Sequence, residues 1–236
     1  MFKLKEFIYI LIASAVLGYV IAFSQMSWEA WMRYSIIGFI VLFANVVAKK
    51  VAAYKLGCEA EIQPWQIERY NFYESAHLRY PLPMWVIWPI FVVWMSLGSV
   101  WWLVVTTFEV YATRSRVSRK FAELTEWDVA LISAAGIAVN LIIAVIAASL
   151  GYQKFAFINL WFVFFNMLPF PNYDGGRIFF GEMLFYVFLA TLSLMVIILL
   201  HIPVIAASAL TVVISSVLVG IISIFVFYSI FERPLK

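Results

Sequence analysis

The stretch Asn166-Met-Leu-Pro169-Phe-Pro171-Asn-Tyr-Asp174-Gly175-Gly176 is where this sequence could do chemistry. It closes a run of apolar residues and differs from everything around it. Pro169 and Pro171 lack the amide proton that continues a helix, so they break it and leave carbonyls without partners. Asn166 carries an amide that can donate to such a carbonyl. Gly175 and Gly176 let backbones approach closely. Asp174 is a carboxylate inside a hydrophobic chain, where an ionisable group is expensive and marks a functional candidate. A plain loop between two helices, with Asp174 capping the second, accounts for the same residues.

Other chemistry-bearing groups are few. The two histidines, His77 and His201, are far apart in sequence, and neither lies at a ligand spacing from Asp174. Glu74-Ser-Ala-His77 has half of a metal-binding pattern but reads as a solvated loop. The single cysteine, Cys58, excludes an internal disulfide framework and a Cys-rich metal site. No phosphate-cradling loop and no nucleophile elbow is present. A net charge of +3 gives no footprint for nucleic acid. Trp94, Trp101 and Trp102 could stack a ligand; interface and helix packing explain them more simply.

The elements that must position Asp174 follow from composition. The chain has 236 residues, is 65% hydrophobic and 12% charged, and has a mean hydropathy of +0.98. A soluble domain would be about 45–50% apolar and about 25% charged. Crossing about 30 Å of hydrocarbon takes roughly 20 apolar residues in a helix. Lipid leaves every backbone group to be satisfied internally, so spans are helices or closed barrels. The apolar runs here are long and continuous, which favours helices over alternating barrel strands. They cover Phe7 to Phe23, Tyr34 to Ala48, Met84 to Thr107, Val129 to Leu150, Phe155 to Leu168, Ile178 to Leu200 and about Pro203 to Phe231. The first resembles a signal peptide, but nothing after it looks like a soluble mature protein.

The expectation is an all-α polytopic membrane protein, a single membrane domain over 1–236 with six or seven transmembrane helices and small β pieces in its polar segments. Cys58 to Ile62 looks extended, and Glu109 to Asp128 reads as a small β-hairpin. Lys3, Lys5, Lys49, Lys50 and Lys55 place the N-terminus and the end of the second span on the cytoplasmic side. Arg114, Arg116, Arg119 and Lys120 should lie on that side too. A full span at Met84 to Thr107 contradicts this, so that segment is re-entrant or the charge rule fails there. The expected location is a prokaryotic plasma membrane.

Asn166-x-x-Pro169-x-Pro171-x-x-Asp174-Gly175 resembles the aspartate motif of the site-2 proteases, a family of intramembrane zinc metalloproteases. Gly136-Ile-Ala-Val-Asn140 is similar to the family's Gly-Pro-x-x-Asn helix, with Ile137 in place of proline. Ala53-Tyr-Lys-Leu-Gly57-Cys-Glu-Ala-Glu-Ile62 resembles the segment that follows the family's first zinc motif. Order and rough spacing agree over about residues 35–185, with extra helices at 7–24 and about 200–231. The resemblance implies a site-2-protease-like core in which Asp174 would be the third zinc ligand.

The departure is equally informative. The family's His-Glu-x-x-His places two histidines on one helical face and a glutamate as general base. Aligned on Gly57, those positions hold Asn45, Val46 and Lys49. Catalytic zinc takes three protein ligands, and Asp174 alone is insufficient, so no metal or other cofactor is expected. Every catalytic position of the first motif differs, which points to natural divergence rather than a one-residue inactivation. The resemblance therefore implies a pseudoprotease that binds transmembrane segments of other membrane proteins, or an accessory subunit of a membrane hetero-complex, in contact with lipids. The alternatives are an active zinc protease with ligands from elsewhere and a small transporter built on broken helices.

One side-chain expectation follows. A lone carboxylate at membrane depth would protonate or draw in water. Lys49 stands at the second histidine position, and its ammonium could replace part of the missing metal charge. Lys49, rather than Lys50, is expected to point inward and pair with Asp174, with Asn45 one turn earlier on the same face.

Overall fold

Apolar segments without water to satisfy their backbone groups fold as helices, and most of this chain is helical. The structure is a computed structural model that describes residues 2–69, 77–113, 124–201 and 208–231. Its helices are α1 (Leu4–Ala22), α2 (Trp28–Lys55), α3 (Met84–Met95), α4 (Glu126–Ser149), α5 (Gln153–Asn166), α6 (Asp174–Gly181), α7 (Met183–His201) and α8 (Ala209–Phe231). Its strands are β1 (Cys58–Pro64), β2 (Ile67–Arg69), β3 (His77–Leu82) and β4 (Thr106–Ala112). Among the described residues, five helices, α1, α2, α4, α7 and α8, are long and apolar enough to cross a membrane. The chain is an integral membrane protein by that measure; six or seven spans are expected from the sequence, and five helices meet the length among the described residues.

Three of the apolar runs are interrupted or short for local reasons. The apolar run at Met84 to Thr107 is helical only to Met95. Leu97 (φ 50) and Gly98 (φ 81) then turn left-handed. The Gly98 amide closes on the Val93 carbonyl at 2.8 Å and the Leu97 amide on Trp94 at 3.2 Å, a Schellman ending. Hydropathy does not register such a stop. The fifth run forms a helix of 14 residues, too short for a standard span. The sixth divides at Glu182, whose extended backbone (φ −162, ψ 110) ends α6. Its amide closes α6 on Ile178, and its carbonyl accepts the Tyr186 amide that opens α7.

The hairpin expected at Glu109 to Asp128 falls largely on residues 114–123, which lie outside the described residues. β4 covers Thr106–Ala112 and pairs with β1, a strand far back in the chain. By Glu126 the chain is already helical, started by a reciprocal cap between Thr125 and Asp128. Arg114, Arg116, Arg119, Lys120, Glu74 and Pro203 lie outside the described residues, as does the side chain of His77.

The chain divides into two compact units, Met1–Phe43 with Ala60–Glu109, and Ala44–Glu59 with Val110–Lys236. In the first, α1 packs on α3. Tyr9 meets Trp85 edge-on, and the Trp94 indole donates to the Tyr19 hydroxyl at 3.0 Å. Glu6 is 1% exposed there. One of its oxygens accepts from the Lys3 amide at 2.7 Å and the other from the Ile62 amide at 2.9 Å. Buried charge is tolerated where such hydrogen bonds meet it. β2 and β3 pair antiparallel in the same unit.

In the second unit α4 is central and packs on α5, α6, α7 and α8. Ile137, Leu141, Leu160, Val163, Met167, Ile178 and Val212 are buried in one cluster. This core holds α4, α5 and α6 together, and so fixes where the broken segment between α5 and α6 presents Asp174.

Candidate functional site

The site lies inside the second unit, at the start of α6. Its position depends on how α5 stops. α5 ends at Asn166, and Met167 caps it. Leu168 precedes a proline, which disfavours helical backbone, and Pro169 cannot donate. The chain crosses through the exposed Pro169 and Pro171 and the left-handed Asn172 (φ 72). The α6 helix then begins at Asp174, 3% exposed, with its carboxylate in the first turn, where a helix favours negative charge.

Gly175 is required by the backbone. A Cβ there would fall 2.2 Å from the Met167 carbonyl oxygen. The turn therefore folds back on its own entry, and Asp174 is held beside the end of α5.

Opposite Asp174 stands Lys49. Its ammonium lies 2.7 Å from Asp174 Oδ1, with side-chain exposures of 5% and 3%. The expected pairing is present, and Lys49 is the inward residue of the two. Lys50 is only partly buried. Lys49 is thus an interior residue and not a headgroup anchor, which corrects its use as a marker of membrane side. Asn45, 3% exposed, and Val46, 2% exposed, lie one turn earlier on α2. α4 completes the enclosure. A Cβ on Gly136 would fall 2.7 Å from both Asn45 Nδ2 and Lys49 Cε, so both side chains lie over that glycine. Asn140 follows one turn along the same face of α4 and is fully buried.

Asn166 is buried, but its amide donates to Phe162 at 2.9 Å, back into its own helix. The expected bond to a carbonyl freed by proline is not made by this residue. Asn within a helix commonly satisfies itself on the carbonyl one turn back. The Met167 carbonyl, four residues before Pro171, instead accepts from the Tyr186 hydroxyl of α7 at 3.1 Å. Sequence reasoning missed Tyr186. The available signal was a phenol on an otherwise apolar helix shortly after a double-proline break.

The donor set does not fit a catalytic zinc. Around Asp174 the described side chains at 45, 46 and 49 are an amide, an alkyl group and an ammonium, none of them a good zinc ligand. Among the described residues no group of three His, Cys, Asp or Glu is placed to hold a metal. His201 lies at the end of α7, its ring 4.9 Å from that of Phe157. What the arrangement can do is hold two opposite charges together away from bulk solvent. No family model, curated protein or solved structure matches this chain.

Proposed function

We propose that this protein is a catalytically inactive, site-2-protease-like membrane protein that binds transmembrane segments of partners, as an accessory subunit of a hetero-complex. The Lys49–Asp174 pair carries the reading. An ammonium stands 2.7 Å from the carboxylate that would ligate the metal, on the helical face where the ligand pair would be. With Val46 at that position, no carboxylate stands where the family's general base would take a proton from a metal-bound water. Loss of ligands and base together leaves a scaffold whose remaining use is binding. A groove with an accessible strand edge can hold an unwound peptide segment by backbone pairing.

Two measurements test the proposal. Metal analysis of purified protein should give well under one zinc per chain. A stoichiometric metal touching Asp174 and two other side chains overturns the inactive reading. Purification from native membranes in mild detergent, with mass spectrometry, should return one membrane protein at fixed stoichiometry. A monodisperse chain that carries no partner overturns the subunit reading.

A further inference from the structure

The polar atoms around Lys49 and Asp174 are not all satisfied by protein. Asn45 Nδ2, Asn140 Nδ2, Asn140 Oδ1 and Asp174 Oδ2 are buried and have no hydrogen-bond partner. They belong to three side chains no more than 3% exposed. A buried polar group left unmatched costs free energy, so native interiors match such groups with protein or with ordered water. Asn45 lies over Gly136 beside Lys49, Lys49 reaches Asp174, and Asn140 stands one turn from Gly136 on α4, so the four atoms belong to side chains that converge from α2, α4 and α6 on one buried polar patch.

The chemistry of this patch selects the ligand. It offers two amide donors and two oxygen acceptors. Turning the Asn140 amide over leaves that balance unchanged, since both of its ends are unmatched. A bare cation would use the two oxygens but face two N–H donors and the Lys49 ammonium. An anion would use the donors but face the Asp174 carboxylate. A molecule that both donates and accepts meets all four atoms. Burial of every residue in the patch restricts it to the smallest such molecule.

We infer that the cluster is an internal hydration site, holding one or two ordered waters that bridge Asp174 Oδ2 to the Asn140 and Asn45 amides. One carboxylate oxygen is neutralised by Lys49 and the other is solvated inside the protein. Asn140 and Asn45 are then positioning residues for this water. The inference rests on the donor and acceptor balance and is independent of any likeness to proteases.

Infrared difference spectroscopy of the full chain in lipid nanodiscs, in ordinary and 18O-labelled water, tests it. A strongly hydrogen-bonded water O–H band should shift with the label and persist on partial dehydration. Asn140→Leu removes a donor and an acceptor together and should abolish that band; Asn45→Leu, the second variant, should shift it. Asp174→Asn identifies the carboxylate band, which should keep its frequency in wild type through sodium, potassium and chloride titrations. Absence of a label-sensitive band in folded wild type overturns the inference. So does a carboxylate band that moves with sodium, which would assign the site to a cation and favour ion transport.

Discussion

Gly136 of α4 lies directly beneath Lys49 of α2, close enough that a Cβ would fall 2.7 Å from the lysine Cε. The absent side chain gives the Lys49 stem its space on the way to Asp174. Gly136→Ala should therefore crowd the Lys49 stem and shift the ammonium without separating it from the carboxylate. Overpacking of this kind costs about 1–3 kcal/mol. Gly175→Ala should cost more, because its Cβ would meet the Met167 backbone, 2.2 Å away, and backbone cannot rotate aside. Unfolding in detergent should rank wild type above Gly136→Ala above Gly175→Ala. A Gly136→Ala variant as stable as wild type would mean that the Lys49 stem does not need that space.

The ion pair itself makes a non-additive prediction. Lys49 and Asp174 are both buried, and removing one partner strands the other. Breaking such a pair costs about 3–5 kcal/mol, whereas replacing both partners by apolar groups is often neutral. Lys49→Met should destabilise strongly, and Lys49→Met with Asp174→Leu should recover most of the loss. A double-mutant cycle measured by chemical denaturation checks this. Additive losses would mean that the two groups do not depend on each other.

Tyr186 offers a smaller and separable effect. Its hydroxyl serves the Met167 carbonyl at 3.1 Å. Pro171 has no amide proton with which to serve that carbonyl in a continued helix. Tyr186→Phe keeps the ring and removes only the donor, leaving a carbonyl unmatched at a cost of about 1–3 kcal/mol. The loss should appear in stability while the Lys49–Asp174 coupling energy stays unchanged. A variant as stable as wild type would show that another donor serves the carbonyl.

What could be read beforehand divides along physical lines. The helices were legible from long unbroken apolar runs, and the inward turn of Lys49 from its place at the second histidine position of the resemblance. Asn45 and Lys49 share a face by spacing alone. The stop at Leu97 and Gly98 was not legible, since it depends on backbone angles that hydropathy does not encode. The β1–β4 pairing was missed because it is non-local, and a strand sequence does not name its partner. Glu6 carried no signal in the sequence. Its role appears only once the Ile62 amide is brought to it. The direction of Asn166 failed for the opposite reason, a local bond outcompeting the distant one expected of it.

Restoring the missing ligands tests the scaffold most directly. Asn45 and Lys49 both lie over Gly136, so imidazoles at 45 and 49 would share that face. A histidine side chain is shorter than lysine by roughly the length of one zinc–nitrogen bond, about 2 Å. A zinc held by an imidazole at 49 would therefore sit near the present ammonium, 2.7 Å from Asp174 Oδ1 and within easy adjustment of a zinc–oxygen bond. The variant Asn45→His, Val46→Glu, Lys49→His should bind about one zinc per chain, while wild type stays far below that. Adding Asp174→Ala to the variant should weaken its zinc binding substantially. Equilibrium dialysis with metal analysis reads all three proteins, and circular dichroism confirms that each is folded. A folded variant that takes up no zinc would mean that these residues are not arranged as a ligand set, and the protease-like reading of the core would fall with it. Uptake that ignores Asp174 would place the metal elsewhere and count equally against it.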